Sequence, residues 1–413
     1  MKYNVHTLNN TCRICKSKNV EFFLHLDNMP FTDDFVKKEN TGSEFLYPIE
    51  IFFCKDCKTL QTQHDVEIID YYENYQYSVG ASGFAAEFMN GIAKKIYDTY
   101  FPNTSNIKVL EVGSGDGGQL VHFKALGCKT LGFEPSSYLV KVAAERGIES
   151  VHDLFTNESI KDLPENFREV QLIFLSYTFD HLPDPVGFLK TAYQILDKQR
   201  GIIIIENHDA QKIFERQEYC LFEHEHSIYL TKQTAISLAK RNDLDVIEFD
   251  VLPEEKRRAN SLIFVMAGNN SVWANQAINN YDLPGYDKLD FYRQQADKIY
   301  KGISNFEKYI DEKTVEGKTI AGYGAGGRGV MTLAALKNSN KLQYLVDKKT
   351  KSENVCAPKF HLPVYTIDRL KSEPVDEVIV FSFGYMDEIK KDLIAMGYKE
   401  NQIHSMLDIL KYN

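Results

Sequence analysis

Glu223, His224, Glu225 and His226 stand in a row, and no other stretch of the chain is so dense in ionisable groups. Histidine beside carboxylate suits tunable proton transfer, because imidazole changes charge near neutral pH and the acid can orient it. On a strand the glutamates would share one face and the histidines the other, whereas a turn would present them differently. The alternatives are a metal site of two histidines and two carboxylates, or a plain solvated loop. Metal ligands normally come from separate elements, so catalysis is the preferred reading.

Two glycine-rich turns carry a second kind of chemistry. EVGSGDGG, residues 111–118, follows an apolar strand-like run and precedes a helical one. Gly113, Gly115 and Gly117 let the backbone turn tightly and approach a ligand, with Glu111 just before them. Glu134 ends the next strand, where a carboxylate can take both hydroxyls of a ribose. Asp153, Leu154 and Phe155 follow the third strand, in positions that would flank an adenine ring, and Ser176 ends the fourth. Alone, the turn fits NAD or S-adenosylmethionine (SAM). Its acid-x-Gly-x-Gly-x-Gly spacing looks like methyltransferase motif I, since the third glycine of a nicotinamide fingerprint would fall at Gly118. The other turn, YGAGGRGV, has the Gly-x-Gly-x-x-Gly spacing at Gly322, Gly324 and Gly327, which a dinucleotide site also uses.

The third feature is a pair of CxxC motifs, Cys12 with Cys15 and Cys54 with Cys57. Four thiolates can meet tetrahedrally around zinc, and with every position filled by protein the site would be structural.

These residues need elements to position them. A chain of 413 residues, 43% of them hydrophobic, suggests two or three domains. A formal net charge of −10 argues against a nucleic-acid platform. The longest apolar run, around Ile202 and Ile205, is too short to span a membrane, and the N-terminus lacks an apolar signal segment. The expectation is a cytoplasmic protein, monomeric or a small homo-oligomer. Composition divides it into a zinc-binding module over 1–70, an α/β domain over 71–270 and a second α/β domain over 271–413. From Ile107 strands alternate with helices, which implies crossover units and a mostly parallel sheet, closed by an antiparallel pair around 245–268. Residues 280–313 read as a polar helical connector. A second, smaller parallel sheet is expected from IAGYG, YLVD and VIVFSF.

Taken in order, the motifs resemble the sugar C-methyltransferase family, and the resemblance covers nearly the whole chain. It rests on CRIC, then YPIEIFFCKDCKTLQT, then the ExGxGxG turn, then GYGAGGRG and YLVD. The resemblance implies an N-terminal zinc module, a central Rossmann-like SAM domain and a C-terminal Rossmann-like domain that helps hold a nucleotide-linked sugar. SAM and a structural zinc are the implied cofactors, with no nucleic-acid or membrane partner. Tyr75, Tyr77, Ser78, Tyr323, Gly324, Arg328 and Asp347 are the implied substrate contacts. The implied reaction is methylation of a ring carbon of a keto-sugar through an enolate, in deoxysugar or surface-glycan precursor synthesis. His226 would take or relay the proton and Glu225 would orient it. An O- or N-methyltransferase, or a non-catalytic SAM-binding module, are the competing functions. The chain departs from the family where sugar and base should meet. Glu223 stands in place of a tyrosine, IENHD replaces a Glu-Val-Pro type segment, Ala259, Asn260 and Ser261 replace Gly-Gly-Ser, and VFSFGY replaces a segment ending in Trp-Asn.

Overall fold

The computed structural model describes residues 3–32, 34–67, 72–73, 83–258, 260–348 and 354–412. Tyr75, Tyr77, Ser78 and Ala259 lie outside the described residues.

The central sheet is built on runs such as Ile202–Asn207, every residue of which is buried. Ile203 and Ile205 enter the core on one face, and Ile202 and Ile204 enter the core on the other. A strand covered on both faces needs this unbroken apolar run. Five strands lie parallel in the order Ser150–Val151, Lys129–Phe133, Lys108–Val112, Leu172–Ser176 and Ile202–Asn207. Leu262–Gly268 and Leu244–Phe249 complete the edge antiparallel, as the sequence suggests. Helices Gly83–Tyr100 and Gly118–Ala125 cover one face through Phe88, Ile92, Leu120 and Phe123. Helices Pro185–Ile195 and Lys232–Lys240 cover the other through Phe188, Leu189, Ala235 and Leu238. The parallel strands all end at one edge, where ligands of open α/β sheets bind.

The C-terminal sheet runs in the order Ile403–Ser405, Glu377–Val380, Ile320–Tyr323, Tyr344–Val346 and Pro363–Tyr365, all parallel. Two short antiparallel strands extend it, Val355–Cys356 and then Val36–Lys37 from the N-terminal part of the chain. The N-terminal sheet is antiparallel, in the order Val20–Pro30, Leu46–Cys54, Leu60–Thr62 and Ile228–Tyr229. Its last strand comes from the central part of the chain and follows the acid–histidine stretch directly. The N-terminal and C-terminal sheets therefore each take a strand from another part of the chain, which composition along the chain could not reveal.

The polar segment read as a connector is a core element. Helix Leu289–Val315 buries Tyr292, Ala296, Ile299, Phe306 and Ile310 along one face. They join a core shared with strand Val20–Pro30 and the C-terminal sheet. A narrow apolar stripe at helical spacing is enough for this, whatever the mean polarity of the helix.

Candidate active site

Glycine is required at the first turn by collision as well as by conformation. Gly113 has φ +70°, and a Cβ there would strike Thr178 Oγ1. Gly115, at φ +54°, has nothing within 4 Å of the corresponding position, so one side of the turn is open. Gly117 immediately precedes helix Gly118–Ala125. Behind the turn lies Glu134, 6% exposed. Its Oε2 accepts from Gly115 N at 2.8 Å and its Oε1 from Ser136 N at 2.8 Å. Each oxygen keeps a lone pair, so the carboxylate is fixed and can still accept from a vicinal diol. Burial raises its pKa, and the two backbone N–H groups oppose that. Glu111 is buried with no hydrogen-bond partner for Oε2 among the described residues. Burial pushes its carboxyl well up, and Arg258 pulls it down. An orphaned buried acceptor beside an open turn fits an ammonium or hydroxyl of a ligand.

Leu154 is exposed and Asp153 accepts from Leu154 N, so both stand at the rim. Phe155 turns the other way. Its ring packs edge-on against Phe133 at 5.1 Å and tilted against Phe188 at 5.3 Å, so the ring belongs to the core. Ser176 Oγ donates to Glu206 Oε2 at 2.6 Å. Glu206 is wholly buried and also accepts from Ser261 Oγ at 2.9 Å.

The acid–histidine stretch folds as a turn, with His226 N donating to Glu223 O at 3.2 Å. That separates the two histidines. His224 enters the N-terminal module, where one ring nitrogen meets His64 at 2.9 Å and the other meets Met29 O at 2.9 Å. Burial presses it down to about 4. Its surroundings, Phe31, Phe45 and Tyr47, are those of a packing residue and not a proton carrier. His226 goes to the central sheet edge. Its Nδ1 lies 2.7 Å from Leu221 O, so Nδ1–H is committed there and Nε2 carries the lone pair. The Leu221 carbonyl therefore orients the imidazole from its Nδ1 side. Glu223 Oε1 lies 3.2 Å from where a Cβ on Gly327 would be, at the second turn.

Sequence reading places Asp180 and His181 in the segment after the fourth strand but does not bring them, or His208, to His226. The donor atoms of Asp180, His208 and His226 lie within 4.8 Å of one another. His208 Nδ1 is 2.7 Å from Asp180 Oδ2. The His208 and His226 rings are 4.7 Å apart, and the His181 ring lies 5.1 Å from His226, tilted by 45°. Burial alone would raise Asp180, but the His208 hydrogen bond and the surrounding imidazoles outweigh it and hold the carboxyl well below its usual range. Burial presses His208 down to about 4 and His181 to about 3. Beside them Tyr177 has φ +49°, costly for an aromatic residue, and donates its hydroxyl to Asn260 O at 2.8 Å. The Arg258 guanidinium lies 5.2 Å from the Tyr177 ring and 4.7 Å from Phe88. Thr178, which meets Gly113, precedes Asp180 by two positions, so the cluster adjoins the glycine turn.

Three family models match this chain in order. A "Putative zinc binding domain" covers residues 12–72, a "Methyltransferase domain" covers 85–249, and a "C-methyltransferase C-terminal domain" covers 271–403. The chain is a SAM-dependent methyltransferase, and the three matched segments follow one another along it without overlap. C-methyltransferase NovU from Streptomyces niveus is 22% identical to it over 398 residues, 94% of this chain and 93% of NovU. Among solved structures, the plantazolicin methyltransferase BpumL in complex with SAH aligns at 15% identity over 45% of this chain and 84% of that one, TM-score 0.35. A SAM-dependent methyltransferase from Archaeoglobus fulgidus aligns at 16% identity over 43% and 93%, TM-score 0.33.

The cysteines of this methyltransferase fit zinc. All four Sγ atoms lie within 4.8 Å of one another, with Cys12 to Cys57 at 3.5 Å and Cys15 to Cys54 at 3.6 Å. A zinc–sulfur bond of about 2.3 Å gives tetrahedral edges of roughly 3.8 Å, while a disulfide needs about 2.05 Å. Lys16 and Lys58, after each motif, take left-handed backbones, and their N–H groups return to Cys12 O and Cys54 O. Between the first two cysteines, Arg13 is buried and bonds His64 O at 2.9 Å, Asp65 at 2.7 Å and Pro183 O at 3.1 Å. The zinc module therefore grips the loop that carries Asp180 and His181.

At the second turn of the methyltransferase, Gly324 has φ +100° and a Cβ would strike Ser382 Oγ. Asp347 Oδ2 accepts from Ala325 N at 3.1 Å. Tyr323 is buried, and burial pushes its phenol up to about 12. Arg328 stacks over Phe383 at 5.1 Å; burial raises the Tyr177 phenol and the Arg328 charge opposes that, while at His208 the same charge adds to the lowering that burial causes.

Proposed function

We propose that this methyltransferase transfers a methyl group to a ring carbon of a nucleotide-linked keto-sugar, through an enolate, in the making of a deoxysugar or surface-glycan precursor. SAM, when bound, supplies an electrophilic methyl on sulfonium; a carbon beside a ketone becomes a nucleophile only on losing a proton. The single observation that carries the reading is the convergence of Asp180, His208 and His226 within 4.8 Å, beside the donor turn. Methylation of an oxygen or nitrogen would need less basic help than this buried cluster offers. The chain's own work would be division of labour. Glu134 and the turn hold the donor, with Glu111 facing its polar end. Arg328, Tyr323, Gly324 and Asp347 stand on the side of the nucleotide-sugar, as do Tyr75, Tyr77 and Ser78 by resemblance. The cluster takes the proton, and burial excludes water.

The test is solvent deuterium uptake at the carbon beside the ketone, with dTDP-, GDP-, CDP- and UDP-linked keto-sugars. A carbon-methylating enzyme exchanges that hydrogen and gives a carbon-methylated product from SAM. His226→Ala should lower turnover with S-adenosylhomocysteine binding intact. Methylated oxygen or nitrogen as the product, without exchange, would replace this reading by the O- or N-methyltransferase.

A further inference from the structure

We propose that His208, paired with Asp180, is the proton acceptor of this chain; the inference rests on the carbon-methylation reading and names the group within the cluster. His208 follows strand Ile202–Asn207 at the ligand edge of the sheet. Its Nδ1 meets Asp180 Oδ2 at 2.7 Å, so Nδ1–H donates to the carboxylate and Nε2 keeps its lone pair. Asp180 is 1% exposed and fixed: Ser227 N and Ser227 Oγ donate to its backbone oxygen at 2.7 and 3.0 Å.

The choice between His208 and His226 follows from what each ring would face once protonated. An imidazolium at His208 forms against a carboxylate already bonded to it. At His226 the bonded partner is the neutral Leu221 carbonyl. A charge-assisted hydrogen bond is roughly twice as strong as a neutral one, and the advantage grows where water is excluded. This is the logic by which a buried aspartate supports a histidine base. The groups facing His208 are Asp180, the His226 ring at 4.7 Å, the Tyr177 ring at 4.5 Å and the charge of Arg328 from the C-terminal domain. Burial keeps the ring neutral at physiological pH, which is the state a base requires.

Two departures in the sequence then belong together. The residue in the tyrosine position, Glu223, has its carboxylate against Gly327, and an imidazole enters from the strand end 202–207 instead. In the step itself, the C–H bond beside the ketone breaks. Its electron pair enters the enolate, and the proton goes to His208 Nε2. The enolate carbon bonds to the methyl, the carbon–sulfur bond breaks onto sulfur, and His208 returns the proton to solvent.

The experiment measures deuterium uptake with S-adenosylhomocysteine bound, so that methyl transfer is silent. His208→Gln and Asp180→Asn should each slow exchange about a hundredfold or more, with S-adenosylhomocysteine affinity within about twofold of wild type. Asp180→Asn acts by reversing the tautomer. Added imidazole should restore exchange to His208→Ala, which a merely structural role would not allow. Exchange within about threefold of wild type in His208→Gln would overturn the proposal. A second transition-metal ion per chain, beyond one zinc and lost in His208→Gln, would overturn it too, because that ion would occupy the same lone pairs. A wild-type enzyme that exchanges nothing sinks the carbon-methylation reading instead. The pair is then judged by proton NMR, where a far-downfield His208 ring N–H must be present and must vanish in Asp180→Asn.

Discussion

The glycine turns at 113–117 and 324–329 are built alike and fronted differently. Each follows a parallel strand, each has a glycine that a Cβ would drive into a hydroxyl side chain, and each has a carboxylate on the next strand accepting a turn N–H. At the first turn the space before Gly115 is open, and the acids Glu111 and Glu134 sit behind it. At the second turn the chain's own Glu223 meets the start of helix Gly327–Ala334, with Arg328 alongside. A carboxylate beside a helix N-terminus competes there with any ligand phosphate. The comparison teaches that a glycine fingerprint specifies a backbone turn, and that the ligand depends on what the rest of the fold brings to its open side.

Breaking each turn in the same way should give opposite results. Gly113→Ala forces a side chain into Thr178 at a positive φ, and should weaken S-adenosylhomocysteine binding by about 3 kcal/mol, roughly a hundredfold, by calorimetry. Gly324→Ala should leave that affinity unchanged. Equal losses would mean that both turns serve one ligand.

A smaller effect is expected from the carboxylates behind the turns. Glu134→Gln faces an amide N–H₂ toward a backbone N–H, and should cost about 2 kcal/mol of donor affinity. Asp347→Asn should cost none. A donor affinity insensitive to Glu134 would remove it from the ribose.

The smallest effect concerns Glu223. Glu223→Gln removes an anion from a helix N-terminus and should lower stability by about 1 kcal/mol or less, read as a fall in Tm. With that charge gone from beside Arg328, a nucleoside diphosphate should bind severalfold more tightly. Weaker binding would show that Glu223 is itself a ligand contact.

Much of this was legible along the chain. Ile202–Asn207 and Lys108–Val112 declare themselves as buried strands by unbroken apolar runs, and the antiparallel pair around 244–268 follows from two such runs in succession. Cysteine spacing foretold the cluster of thiols, and acid-x-Gly-x-Gly-x-Gly foretold the first turn. His224 and His226 were not separable, because a period of two groups them on a strand while the chain makes a turn there. Phe155 carried no sign that Phe133 and Phe188 would claim it. His208 drew no notice as a lone histidine at a strand end. The only local signal for it was its place where a Glu-Val-Pro type segment was expected.

By itself the sequence determined what depends on near neighbours: strand and helix periodicity, turns that only glycine can make, and thiols close enough to share an ion. The tertiary structure alone decided which distant residues meet. Asp180, His208 and His226 come from three separate segments, and Arg13 reaches Pro183 across 170 positions. Strand Ile228–Tyr229 is pinned to Leu60–Thr62, which fixes the loop before it. Hydrogen bonds and burial act through space, so the meeting of these ionisable groups is set by contacts that no local pattern encodes.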